Sequence, residues 1–170
     1  MIRSYDPGRP VPPEVVDRIV RNGLRAPSAG FSQGWGFLVL DAPADMARFR
    51  EAVRPQTDPE GWFAAQVDAP LLIIPHSNKD AYLDRYAQPD KGFTDRSDAW
   101  WPAPYWDIDT GFASLLMLLT AVDAGLGGVF LRYPRRPDRG LPRDVRGATA
   151  VHPHRGDLYR LQRRATARPA

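Results

Sequence analysis

Between Pro27 and Trp35 the chain reads P-S-A-G-F-S-Q-G-W, with Ser28, Ser32 and Gln33 set among Gly30 and Gly34. Small and polar groups on freely approachable backbone suit a loop that touches a flat polar ring, although most such stretches are plain connecting loops. A second glycine cluster, Gly125-Leu126-Gly127-Gly128, follows the longest apolar run. A dinucleotide fingerprint runs strand, glycine turn, helix, so that phosphate meets a helix N-terminus. Here the order is helix, glycines, strand. The glycines lie at the negative end of the helix dipole, which excludes a Rossmann phosphate site.

No residue pattern points to a protein nucleophile. The only histidines are His76, His152 and His154. There is no G-x-S-x-G elbow, no H-E-x-x-H, no Walker loop and no metal-ligand spacing. His76, beside Ser77 and Asn78, reads as a turn residue. The absence of cysteine excludes disulfides, thiolate catalysis and cysteine-ligated metal.

The element that must position these groups is the apolar stretch from Trp106 to Gly128. Ile108, Phe112, Leu115, Leu116, Leu119, Val122 and Leu126 recur at helical spacing, and Ala113, Met117, Leu118 and Ala121 cover most of the rest. A helix apolar nearly all round is expected to be buried on all sides. It is either an ordinary core helix or a helix shared across a dimer interface. Asp107 or Asp109 can cap its start, and Gly125 can close its end in the left-handed conformation. Asp109 and Asp123 bracket thirteen uncharged residues, fewer than the roughly 20 that cross a bilayer.

Around this helix the pattern predicts an extended segment over 1–12, a helix over 13–26 stopped by Pro27, and a strand over 36–40. Short helices follow at 45–53 and 60–67, a buried strand at 70–75 and a helix at 80–87. The aromatic segment 88–104, with Phe93, Trp100 and Trp101 leading into Tyr105 and Trp106, either lines a pocket or interface or covers core. A strand is expected over 128–133.

The net charge of +3 conceals an asymmetry. Residues 132–170 carry eleven arginines against three aspartates, a net of +8, which leaves −5 for residues 1–131. The reading is a folded domain over 1–133 and a basic, disordered tail over 134–170. Nucleic-acid binding by that tail is disfavoured, because few aromatic residues interleave the arginines. No N-terminal apolar segment resembles a signal peptide, so a cytoplasmic protein is expected.

Three ordered segments, R-S-Y-D-P at 3–7, A-P-S-A-G-F-S-Q-G-W at 26–35 and the apolar helix ending A-G-L-G-G, resemble the nitroreductase-like FMN-dependent oxidoreductases. The resemblance covers roughly residues 1–133. It implies an α+β fold whose mixed or antiparallel central sheet is flanked by helices, with a long buried central helix. It implies a homodimer with two FMN molecules at the subunit interface. Arg3 and Ser4 would lie near the FMN phosphate, Pro27, Ser28, Ala29 and Gly30 with Ser32 and Gln33 near the flavin ring, and Leu126, Gly127 and Gly128 beside the isoalloxazine. In the chemistry it implies, NADH or NADPH reduces flavin N5 and a small electrophile, such as a nitroaromatic or quinone, takes the electrons. The cofactor does the hard chemistry, so no catalytic residue and no metal is assigned.

The chain also departs from the resemblance. Phe31 and Gly34 stand where the common loop P-S-x-x-N-S-Q-P-W has asparagine and proline. The basic residues that usually precede the position of Met1 are missing, and the usual helix, strand and basic segment after the glycines are not visible. Codons for residues 152–161 read one base later can encode T-P-I-G-A-T-S-T-G-Y, which makes a frameshift near Arg132 one explanation of the tail. A flavin-binding but inactive truncated relative is the alternative reading.

Overall fold

The computed structural model describes residues 5–6, 8–53 and 69–130. The expected helix over 60–67, the end of the expected strand over 128–133 and the basic tail lie outside these residues, as do Arg3 and Ser4.

Helix α1 (Pro13–Gly23) begins where Pro12 and Pro13 allow, since proline suits a first turn that has no partner for its N–H. Glu14 adds favourable charge at this positive end. Val16, Ile19 and Val20 are fully buried, each contributing about 1.5–3 kcal/mol by leaving water. The helix ends at Gly23, short of the expected Ala26. Strand β1 (Trp35–Leu40) follows, then α2 (Pro43–Val53), β2 (Leu72–Ser77), α3 (Lys79–Tyr86) and the long α4 (Tyr105–Asp123). Asn78 caps α3 by accepting from the Ala81 N–H.

The two strands pair antiparallel, from Trp35 opposite Ser77 to Leu40 opposite Leu72. Helices packed on this antiparallel sheet make an α+β fold. Trp35, Phe37 and Val39 are buried on the face toward α1 and α4. Leu38 and Leu40 point the other way with Ile74, onto Met46 and Phe49 of α2. β2 is displaced from the expected 70–75 and is only partly buried. It carries His76 opposite Gly36, so His76 is a strand residue and not a turn residue. Residues 128–130 form no strand.

α1 runs beside α4 in the opposite direction. Arg18 meets Asp123 at 3.8 Å, Asn22 donates to Thr120 Oγ1 at 3.1 Å, and Gly23 lies against Met117. The chain therefore passes from the C-terminal end of α4 at residue 12 to its N-terminal end by residue 29.

The central helix corrects one expectation. Its buried side is the small and polar one: Asp109, Thr110, Ala113, Ser114, Met117 and Thr120. Thr110, Ser114 and Thr120 satisfy their hydroxyls on the carbonyls four residues back, at 2.7–2.8 Å. Small residues let α1 and the sheet approach closely on this side. The large residues are left on the other: Ile108, Phe112, Leu115, Leu119 and Val122 are 37–58% exposed. The helix is not buried on all sides within one chain.

Neither candidate caps α4. The helix starts on Pro104, whose carbonyl accepts from Asp107 and Ile108, so both aspartates lie inside the helix. Asp107 accepts from Ser77 Oγ at 2.5 Å. Asp109, 3% exposed, accepts with one oxygen from the Tyr82 hydroxyl at 2.9 Å and from the Ala29 N–H at 2.8 Å. Gly125 does end the helix with φ +75°.

Two outcomes follow for stability. Asp109→Ala leaves the Tyr82 hydroxyl and Ala29 N–H without their acceptor and costs roughly 2–5 kcal/mol, whereas Asp109→Asn keeps one acceptor oxygen and costs less. Equal urea midpoints for wild type and the alanine variant would contradict the linkage. At Gly34 an added Cβ falls 2.7 Å from the Asn78 carbonyl oxygen and 2.7 Å from Tyr82 Cε2. Gly34→Ala is expected to lose roughly 1–3 kcal/mol in the same measurement.

Candidate functional site

Residues 26–35 fold into a tight loop in which both serines bond to the loop's own backbone. Ser28 is extended, and one short turn, Ala29–Phe31, follows. The Ser28 carbonyl accepts from the Phe31 N–H at 2.9 Å, and its hydroxyl oxygen accepts from the Gln33 N–H at 2.9 Å. Ser32 Oγ donates to the Ala29 carbonyl at 2.7 Å. The serines expected to contact a ring thus first serve to build the loop. Gly30 (φ +59°), Phe31 (φ +57°) and Gln33 (φ +52°) are left-handed, a cost that non-glycine residues bear only when their surroundings impose it.

Three anchors impose it. Asp109 holds the Ala29 N–H. Arg85 Nε donates to the Gly30 carbonyl at 3.0 Å, while its other nitrogens form two 2.8 Å bonds to Asp90. This bidentate bond holds the Asp90 carboxyl at about 2, well below the usual carboxylate range. Tyr86 closes the third side, where a Cβ on Gly30 would fall 2.6 Å from its ring. Burial, and then the bond to Asp109, push the Tyr82 hydroxyl above its ordinary range, so it remains a donor.

The aromatic segment is a brace behind this loop. The Trp101 ring packs on Tyr86 at 4.5 Å and edge-on to Tyr82 and Trp106 at 6.0 and 5.9 Å, and Phe93 joins Tyr86 at 5.1 Å. Arg96, bonded to Asp80 and Asp84, ties the segment to α3, as does the Lys79–Asp98 pair. Among the described residues, Trp101 Nε1 and His76 Nε2 are buried without a hydrogen-bond partner. Burial lowers the His76 pKa.

The other predicted residues lie elsewhere. Leu126, Gly127 and Gly128 line a cleft of about 600 Å³ with Tyr5, Asp6 and Arg9 on one side and Leu71 to Ile73 on another. Its size is that of a small-molecule site. Gly128 rests on Leu118, whose Cδ1 would be 2.6 Å from an added Cβ. None of residues 27–33 lines this cleft. The loop sits against Asp109 and the glycines against Leu118, so about 13 Å of helix rise separates them. The two halves of the predicted cofactor set are not brought together within one chain.

Asp109, Tyr82, Arg85 and Tyr86, which shape the loop, were not among the site residues expected from sequence. Asp109, which shares a largely apolar helix with Asp107 and Asp123, was their one signal, because such a group must be paired if buried. Arg9, also not expected from sequence, lines the cleft. Among the described residues no cluster of histidine and acidic side chains could hold a metal, and no helix is long and apolar enough to cross a membrane.

The sequence profile of the nitroreductase family matches residues 1–148. No curated protein matches the chain. The fold is similar to that of a candidate NADH oxidase from Clostridium acetobutylicum, 23% identical with a TM-score of 0.50, over 74% of this chain and 60% of that one. It is similar to an enone reductase of gut-bacterial fatty acid saturation, 21% identical with a TM-score of 0.50, over 73% and 66% of the two chains. A nitroreductase family protein from Streptococcus pneumoniae TIGR4 is 19% identical with a TM-score of 0.52, over 74% and 68%. The chain thus spans less than two thirds of the first two structures. The profile covers most of the chain, and the chain therefore belongs to the nitroreductase family, a family of oxidoreductases.

Proposed function

We propose that this protein is an FMN-dependent NAD(P)H oxidoreductase that reduces small electrophiles, such as nitroaromatics or quinones, and that it works as a homodimer. The observation that carries the reading is the arrangement along α4. A glycine-lined cleft sits at one end, a strained and braced loop at the other, and an open apolar stripe joins them.

The stripe Ile108, Phe112, Leu115, Leu119 and Val122 follows the spacing of a helix–helix seam. A two-fold axis near Leu115 pairs two copies of α4 antiparallel, with Ile108 of one beside Val122 of the other. Gly111, with open space around its Cα, lets the helices come close. The same operation carries the loop of one copy toward the glycines of the other. Each copy then contributes half of each site, which explains why one chain keeps the halves apart.

The residues present fit a flavin. Leu126, Gly127 and Gly128 offer backbone that a flat ring can approach, and Arg9 supplies positive charge in the same cleft. Arg3 and Ser4 are proposed to extend this cationic side toward the phosphate. Pro27, Ser28, Ala29, Gly30, Ser32 and Gln33 form the opposing wall. Bound FMN supplies reversible two-electron redox chemistry between the nicotinamide donor and the acceptor. The chain's own part is to hold the ring, exclude water with the apolar seam and leave one ring face open. The enzyme is expected to be cytoplasmic and to require neither metal nor nucleic acid, with residues 1–133 as the flavin-binding domain.

The purified protein is expected to keep a flavin absorption spectrum after added FMN is removed, and to oxidise NADH or NADPH when menadione is supplied. Retained flavin without oxidation of either donor would favour the inactive relative. A double variant, Leu115→Glu with Leu119→Glu, places charges in the seam. It is expected to sediment as a folded monomer and to lose FMN; a monomer that binds FMN as tightly as wild type would sink the shared site.

A further inference from the structure

We draw no further inference here: the strongest candidate, the apolar side of the cleft that Val15 and Ile19 of α1, Leu72 and Ile73 of β2 and Met117 of α4 line together, belongs to the site already described.

Discussion

One carboxylate oxygen organises the site end of this molecule. Asp109 sits 3% exposed in the first turns of α4 and accepts from Tyr82 on α3 and from the Ala29 backbone in the loop. A buried charge is costly unless it is hydrogen-bonded, and these two donors offset that cost only if helix, loop and α3 keep their places. The dependence spreads outward. Tyr82 is packed by Trp101 and Trp106, Trp101 supports Tyr86, and Tyr86 limits Gly30. An aromatic segment with only one short helical turn, Asp98–Trp100, thereby acquires a structural purpose.

The same helix divides its two faces by size. Small and hydroxyl-bearing residues face inward, where close approach to α1 and the sheet gains dispersion contacts and the hydroxyls are satisfied locally. Leucine, isoleucine, valine and phenylalanine face outward. A contiguous exposed seam of this kind is unusual for a chain that acts alone. It lies between the loop and the glycine cleft, so association and cofactor binding are coupled in the proposed dimer. In that proposed dimer, disturbing the seam would separate the walls of the site even with each chain folded.

Loop strain and loop bracing belong together. Three residues near +55° would not stay left-handed in a free peptide, and the bonds from Arg85, Asp109 and the two serines are what hold them. Gly34 completes the arrangement. Where related loops commonly carry proline, this chain has the one residue that lets the N-terminal end of α3 pack against the loop backbone, with the Asn78 N–H donating to its carbonyl at 2.8 Å. Phe31 and Gly34, both departures from the common loop, therefore have different physical meanings: one adds an exposed ring, and the other removes a side chain from a crowded contact.

Local pattern was enough to identify α1, α2, α3, α4 and both strands, since apolar spacing, proline stops and the left-handed Gly125 are written in consecutive residues. Ordered motifs were enough for the family, because they depend on residue identity and not on packing. The sequence could not say which side of α4 would be buried. That choice is made by the partners that pack on it, and they prefer the small residues for close approach. Nor could it reveal that Asp109 meets Ala29 and Tyr82, which lie 80 and 27 residues away. The predicted cofactor residues read as one set along the chain, yet α1 runs back along α4 and delivers them to opposite ends. Composition and periodicity are properties of neighbours in sequence; the burial of a carboxylate, the strain in a loop and the separation of the loop from the glycine cleft are decided only when distant segments compete for the same space.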